Sequence, residues 1–190
     1  EFGETNPKRH TLEDVELGVN YVLILSTSAG LWGYNIGDTV RFVSLEPFRL
    51  VVTGRIKHYI SAFGEHVIGK EVETAMEQAC KDTEVHVKEF TVAPQIDPKK
   101  GPPYHEWFVE FENPPQKLAE FAQKLDQTMQ QQNVYYEDLL KGNVLKTLVI
   151  SQVATGGFQE YMKSIGKLGG QNKVPRLSND RKIADNLSLK

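Results

Sequence analysis

The chain has 190 residues, 39% of them hydrophobic and 25% charged, and its 22 Lys and Arg against 25 Asp and Glu give a formal net charge of −3. This composition is ordinary for a globular protein with one or two domains, and no apolar run approaches the ~18 residues of a membrane-spanning helix. The single cysteine, Cys80, cannot form an internal disulfide, and no CxxC pair or Cys/His cluster suits a metal, so we expect a reducing, cytoplasmic setting.

The first part of the sequence predicts a small β region. Its predicted strands, rich in β-branched and aromatic residues, cover residues 21–26, 39–43 and 48–53. Residues 30–37 contain three glycines and are expected to form a turn region. Just beyond Gly54 the apolar spacing changes from a period of two to one of 3.6, which predicts a boundary between residues 1–54 and residues 55–190.

The second part alternates between helices and strands. Apolar residues at helical spacing predict helices over residues 68–79, 118–129 and 156–165, with a short helix opening near Ser178. The predicted strands cover residues 84–93, 105–111 and 144–153. This order favours an α+β fold in which helices cover a mostly antiparallel sheet.

The net charge is distributed unevenly. From Lys163 onward there are seven basic and two acidic residues, a local charge of 7 − 2 = +5, so residues 1–162 carry −3 − 5 = −8. A solvated surface or a site for a polyanionic small molecule such as a nucleotide would explain the basic segment. Nucleic acid is not expected as a partner, because the basic residues are not interleaved with aromatic side chains for base stacking.

Two segments in the first half carry residue types that suit chemistry. Asp38, directly after Gly37, can accept hydrogen bonds from a vicinal diol such as ribose, and an Asx turn explains the pair equally well. Arg55 and Lys57 share one face of a strand-like segment, where they can clamp a phosphate or carboxylate or protect a sheet edge.

Two further segments offer similar alternatives. Glu65 lies just before a predicted helix, where the helix dipole alone accounts for an acidic residue. Lys173 and Arg176 lie in a loop with glycines on one side and Pro175 within it, an arrangement that can deliver a cation to a site. A solvated loop lysine is the simpler alternative.

Three segments in this order resemble one known family. GLWGYNIGDTVRF, TGRIKHYISAFGEHVIGKEVETA and GKLGGQNKVPRLSND together resemble the acyl-acid amido synthetases, the auxin-responsive family within the adenylate-forming superfamily. The resemblance covers essentially the whole chain and corresponds to the C-terminal third of such an enzyme. It implies that residues 1–54 are the final β segment of the large adenylation domain. Residues 55–190 would then be the mobile C-terminal α/β sandwich domain.

The resemblance also implies a nucleotide site. Asp38 matches the aspartate that binds the ribose hydroxyls of ATP, and Arg55 matches the arginine at the interdomain junction. Gly33 departs from the family pattern, which is expected to have Arg at this place, so any contact made by that side chain is missing.

The remaining matched residues are implied to act in the two half-reactions. Lys57 falls at the hinge on which the C-terminal domain rotates between two arrangements. Phe63, Gly64 and Glu65 match the loop that faces the active site in the second half-reaction. Lys173 is the catalytic candidate, in contact with the acyl carboxylate and the α-phosphate during adenylation.

These roles imply a ligase that uses ATP and Mg to activate a carboxylic acid as acyl-AMP and joins it to an amino acid. The chain has no GxxxxGK[ST] phosphate loop and no acyl-pocket segment, so we expect a partial enzyme that is inactive without the rest of the adenylation domain. Two alternatives stay open: a fragment of an acyl-CoA or other thioester-forming synthetase, and a binding or interaction domain without catalysis.

Overall fold

The computed structural model describes residues 7–55, 59–60, 62–113, 115–167, 169 and 172–190. The chain divides into two compact units, Glu1–Lys57 and His58–Lys190. No helix in the described ranges is both long enough and apolar enough to cross a membrane.

The first unit is an antiparallel sheet of three strands in the order β1-β2-β3. These strands are β1 (Asn20–Leu25), β2 (Tyr34–Leu45) and β3 (Phe48–Arg55). All three predicted strands are present, but β2 begins at Tyr34, so part of the expected turn region belongs to this strand. The physical reason is Gly37, whose φ of +84° lets β2 bulge and continue instead of turning back.

Strand β3, at one edge of this sheet, has exposed apolar side chains. Val40 and Phe42 of β2 are buried, and the Phe42 ring contacts the rings of Tyr21 and Phe48 edge to face. Four apolar side chains of β3 are nevertheless between 41% and 63% exposed: Phe48, Leu50, Val51 and Val52. Exposed apolar side chains concentrated on one edge strand are typical of a strand that another part of a protein covers.

The second unit is built around a mixed sheet. The strands of this unit are β4 (Tyr59–Ile60), β5 (Val67–Ile68), β6 (Val87–Gln95), β7 (Tyr104–Phe111) and β8 (Val149–Gln152). Its α-helices are α1 (Gly69–Thr83), α2 (Leu118–Gln132), α3 (Val134–Lys141) and α4 (Gly157–Ser164), and a 3₁₀ turn covers Ala184–Asn186. β4 and β5 form a short hairpin, and the main sheet has the order β6-β7-β8.

The central strand β7 is buried on both faces, and its successive side chains point alternately into two separate cores. Trp107 and Val109 point into the first core, with apolar residues of α1, α2 and α3. Phe108 points into the second core, with Val153, residues of α4 and the C-terminal segment. The layers therefore form the expected α/β sandwich.

Two details of the expected second unit are refined. The main sheet is mixed, because its longer pairing, β6-β7, is antiparallel as expected and its shorter pairing, β7-β8, is parallel. β8 reaches its place through α2 and α3, and a crossover of this kind brings a strand back parallel. The strand expected over residues 144–153 is shorter, since Leu145 and Leu148 are buried beneath the helices before β8 begins.

Two helical details also differ. The sequence pattern did not predict α3, which begins because the Asn133 side chain accepts a hydrogen bond from the Tyr136 N–H at 2.8 Å. No helix opens near Ser178. The Ser178 N–H instead donates to the Val92 carbonyl, so this segment runs along β6, and the 3₁₀ turn comes later at Ala184–Asn186.

The first residue of α4 is a position that only glycine fits. A Cβ added to Gly157 would lie 2.6 Å from the Val153 side chain and 3.4 Å from the Ser188 carbonyl oxygen. Gly157→Ala should therefore destabilise the chain by about 1–3 kcal/mol through overpacking of the second core, as measured by urea denaturation.

Gly69 is the matched control, because it is also the first residue of a helix and a Cβ there would meet nothing within 4 Å. Gly69→Ala should be neutral or stabilise the chain by up to about 1 kcal/mol. Equal losses from the two substitutions would contradict the packing described for α4.

Candidate functional site

Asp38 lies between two irregularities of the first sheet. Against β1, residues 36–38 of β2 face one residue, because Thr39 pairs with Val22 and Asn35 with Ile24. Against β3, Thr39 pairs with Gly54 and Val40 with Val52, so Thr53 is the extra residue. Bulges of this kind re-aim side chains and are frequent beside functional sites.

Two hydrogen bonds flank Asp38, one within β2 and one between β2 and β3. The Gly37 N–H donates to the Asn35 Oδ1 at 2.9 Å, and the Thr53 hydroxyl donates to the Thr39 hydroxyl oxygen at 3.1 Å. Asp38 itself is half-buried and pairs with Arg55 across the two strands. The sheet thus places the two predicted nucleotide-binding residues opposite each other, although their roles stay predictions. Lys57, the predicted hinge, lies outside the described residues.

The predicted loop of Phe63, Gly64 and Glu65 connects β4 to β5 and folds around a carboxylate. The Glu65 Oε2 accepts a hydrogen bond from the Phe63 N–H at 2.8 Å, and Gly64 adopts a φ of +92°. The Glu65 side chain is fully buried, whereas Gly64 is exposed and Phe63 is half-buried. Gly64 is therefore on the outward face of this loop, Phe63 packs partly against the first core, and Glu65 points into the protein.

Glu65 has a buried ionic partner that sequence analysis missed. The other carboxylate oxygen, Oε1, lies 2.8 Å from the His105 Nε2, and the two side chains are 0% and 1% exposed. Burial by itself raises the pKa of the Glu65 carboxyl. The hydrogen bond and charge of His105, with the Phe63 N–H, outweigh burial and bring that pKa below its usual value.

A second layer of polar groups supports this pair. The Asn133 side-chain amide donates to the Glu65 carbonyl at 3.0 Å and to the Glu71 Oε2 at 3.2 Å. The His105 ring stacks on the Tyr136 ring with centroids 5.1 Å apart. The Tyr136 hydroxyl donates to the Asp126 Oδ1 at 2.7 Å. The loop between β4 and β5 is thus tied to β7, α1, α2 and α3.

Lys173 lies in a segment that is anchored on its C-terminal side. The next residue, Val174, is buried in the second core, and the Thr91 hydroxyl donates to the Pro175 carbonyl at 2.7 Å. The Val92 N–H donates to the Arg176 carbonyl at 2.9 Å, which continues the segment along β6. Lys173 itself is exposed and makes no ion pair within the described ranges.

Arg176 is the main polar anchor of this segment. Its guanidinium pairs with Glu89 and lies 3.6 Å from the Glu73 Oε1. The same group lies 4.6 Å from the centroid of Phe90, which stacks on Trp107 at 5.7 Å. Arg176, which the sequence suggested as a second cation for a site, is thus committed to two carboxylates and an aromatic face.

The matching protein families identify the chain. The profile of the GH3 family C-terminal domain matches residues 70–182, and that of the GH3 family central domain matches residues 1–55. The first match alone covers more than half of the chain. The chain belongs to the GH3 family. The expected resemblance to auxin-responsive amido synthetases is confirmed.

GH3 relatives also include characterised and solved proteins. The indole-3-acetic acid-amido synthetase GH3.10 of Arabidopsis thaliana is 25% identical over an alignment 190 positions long, which covers 93% of this chain and 31% of that protein. A structure of the GH3.15 acyl acid amido synthetase has a TM-score of 0.68 at 21% identity and covers 94% of this chain and 36% of that chain.

A second solved structure, the AtGH3.15 acyl acid amido synthetase in complex with 2,4-DB, has a TM-score of 0.65 at 20% identity. It covers 94% of this chain and 35% of that chain. At these identities the structural matches establish a shared fold, which confirms the expected fold class. The chain spans about a third of the length of the relatives it matches.

Ionised Glu65, whose pKa is lowered, makes a contribution to stability that depends on pH. Because the folded-state pKa lies below the unfolded-state value of about 4.3, this contribution is fully present above that pH and is lost as the pH falls through the folded pKa. Glu65→Gln should therefore reduce the decrease in the urea midpoint between about pH 6 and about pH 3.

Glu77→Gln, on the exposed face of α1, is the control and should keep the wild-type pH profile. Glu110, whose pKa is also lowered, titrates in both variants and accounts for part of the remaining acid sensitivity. Identical pH profiles for the two variants would show that the Glu65 pair contributes nothing specific.

Proposed function

We propose that this chain is the C-terminal portion of an ATP-dependent ligase that activates a carboxylic acid as acyl-AMP and joins it to an amino acid. The observation that carries the proposal is the pair of GH3 domain profiles, central then C-terminal, that match in order along the chain. Relatives named as amido synthetases support amide formation over thioester formation. We refer to the complete protein as the larger ligase and expect it in the cytoplasm.

Asp38 and Arg55 are proposed to bind the nucleotide. A carboxylate only accepts hydrogen bonds, and the two ribose hydroxyls of ATP are donors, so the Asp38 side chain fits this part of the substrate. Two observations support the assignment: Asp38 lies in a bulge, and it pairs in register with Arg55. A carboxylate that accepts hydrogen bonds and a cation therefore belong to adjacent strands. In this role residues 1–54 complete the adenylation domain.

Lys173 is proposed to act in the first half-reaction. A carboxylate oxygen of the acid attacks the α-phosphorus of ATP, the bond to pyrophosphate breaks, and acyl-AMP forms. Two anions approach each other in this step, so an ammonium group that neutralises the developing charge stabilises the transition state. The exposure of Lys173, next to the buried Val174, supports a cation that is free to reach a ligand from a fixed base.

The second half-reaction is proposed to use another arrangement of the C-terminal domain. The amine nitrogen attacks the acyl carbon, AMP leaves, and the amine loses a proton. A hinge at Lys57 would withdraw Lys173 and bring the loop of Phe63, Gly64 and Glu65 to the site. Residues 55–190 would move as one domain about this hinge.

The remaining adenylation domain is the proposed partner of the first sheet. The exposed apolar side chains of β3 support this, because a free surface rarely carries so many on one edge strand. Mg is proposed to enter with ATP. Among the described residues no group of three or more His, Cys, Asp or Glu side chains could hold a metal ion, so we assign no residue of this chain to Mg.

Lys173→Ala in the larger ligase should slow acid-dependent pyrophosphate exchange by about a hundred-fold or more, because a charge-stabilising contact in the transition state is lost. Amide formation from a chemically supplied acyl adenylate should persist. The 190-residue chain by itself should show no exchange with any carboxylic acid.

Lys167→Ala is the matched control, since Lys167 is also exposed and removing it changes the local charge by the same amount. It should leave exchange nearly unchanged. Equal effects at Lys167 and Lys173, or equal losses in both half-reactions, would refute the assignment of Lys173. Robust exchange by the chain alone would refute the proposal that it is only a portion of the enzyme.

Asp38→Ala in the larger ligase should raise the KM for ATP by about tenfold or more, because hydrogen bonds to a charged acceptor contribute about 1.5–3 kcal/mol each. Both half-reactions should slow, since the ribose is held throughout. Asp14→Ala removes an exposed carboxylate of the same unit and should have no effect. An unchanged KM for ATP in the Asp38 variant would show that Asp38 serves only the bulge.

A further inference from the structure

We propose that His105 is a positioning residue for the amide-forming step, which acts through Glu65 on the loop of Phe63 and Gly64. The inference rests on the proposed function, because that function assigns this loop to the second half-reaction. The feature that suggests it is a buried ion pair placed directly behind an exposed, glycine-containing turn.

Glu65 occupies both of its carboxylate oxygens inside the protein. Oε2 accepts from the Phe63 N–H at 2.8 Å, and Oε1 lies 2.8 Å from the His105 Nε2. A carboxylate held in this way has no free oxygen directed at solvent, and the side chain is fully buried. The contribution of Glu65 to a reaction must therefore pass through the shape of the loop that it closes.

The loop has a shape that few sequences adopt without such support. Gly64 has a φ of +92°, and His66 has a φ of +47°, so two residues flanking Glu65 lie in the left-handed region. The hydrogen bond from Phe63 to Glu65 closes the turn on one side. The Asn133 amide, which donates to the Glu65 carbonyl at 3.0 Å, holds it on the other.

His105 is itself fixed from behind, as a positioning residue must be. It is the second residue of β7, and its ring stacks on Tyr136 at 5.1 Å with an interplanar angle of 19°. The Tyr136 hydroxyl donates to Asp126, which also accepts from the Leu148 N–H at 3.1 Å. The His105 ring is therefore held by β7 and by Tyr136 of α3, and its contact with Glu65 fixes the position of the carboxylate.

Loss of His105 would leave the Glu65 charge buried without its ionic partner. A buried, unpaired carboxylate is strongly unfavourable, so the side chain would move towards solvent and release the Phe63 N–H. The exposed turn would then lose its fixed geometry while α1 and the sheet keep their packing. Displacement of a substrate-positioning loop by about 1 Å can slow a reaction by about a hundred-fold.

The test compares His105→Leu and His105→Gln in the larger ligase, with His86→Gln as the control because His86 is an exposed histidine just before β6. In His105→Leu, acid-dependent pyrophosphate exchange should stay within about twofold of wild type. Amide formation from supplied acyl adenylate should slow by about ten- to a hundred-fold. His105→Gln, which keeps a hydrogen-bond donor, should recover part of this loss, and His86→Gln should match wild type.

Amide hydrogen exchange tests the structural part without using activity. In His105→Leu the backbone amides of residues 62–66 should exchange about tenfold faster or more, while those of α1 keep their protection. Faster exchange in both segments, or equal losses in both half-reactions, would mean that His105 only stabilises the fold, and would overturn the inference.

The failure of the proposed function gives a different result. If the wild-type larger ligase shows no acid-dependent exchange, the ligase assignment fails, whatever the hydrogen exchange shows. If wild-type activity is normal and the exchange of residues 62–66 does not change in His105→Leu, the ligase assignment holds and the positioning role of His105 is wrong.

Discussion

The buried ion pair between Glu65 and His105 is the contact on which the loop between β4 and β5 depends most. It joins the hairpin of β4 and β5 to the central strand of the main sheet. Asn133 and Tyr136 extend the connection to the start of α3, and Asp126 extends it to α2. Buried charges are costly unless each is paired, so Glu65 and His105 each depend on the other. The loop that precedes α1 thereby acquires a single conformation.

Both faces of the same sheet organise the C-terminal segment, because Val174 packs in the second core and Leu177 in the first. Phe108 and Val153 provide an apolar floor, and Val174 packs on it. The clamp of Arg176 on Glu89, Glu73 and Phe90 then fixes the direction in which the segment follows β6. Lys173 is left exposed one residue before this anchored stretch. An exposed ammonium group beside a buried, anchored residue suits the proposed role of Lys173 as a cation that reaches a ligand.

The first unit shows a different constraint. Its strands are paired by hydrogen bonds, but apolar side chains on β3 are not covered. Bulges beside Asp38 keep the strands paired while they redirect this residue. The apolar side chains of β3 remain exposed, and the chain matches only about a third of the length of its relatives. The two facts have one explanation if the rest of the adenylation domain covers this strand.

The sequence by itself determined the fold class and most of the elements, because the hydrophobic periods of α1, α2 and the main strands are local properties of the chain. The family came from the resemblance of three sequence motifs and not from these periods. The sequence did not predict α3, although Asn133 is a common type of N-cap residue, because this short helix follows α2 directly and buries only Tyr136, which leaves little apolar periodicity. Neither His105 nor Tyr136 stands in a motif, and their partners lie 40 and 10 residues away in sequence. Only the tertiary structure could pair them, and only burial gave Glu65 an inward orientation, because charge pairing across that distance is decided by packing and not by local sequence.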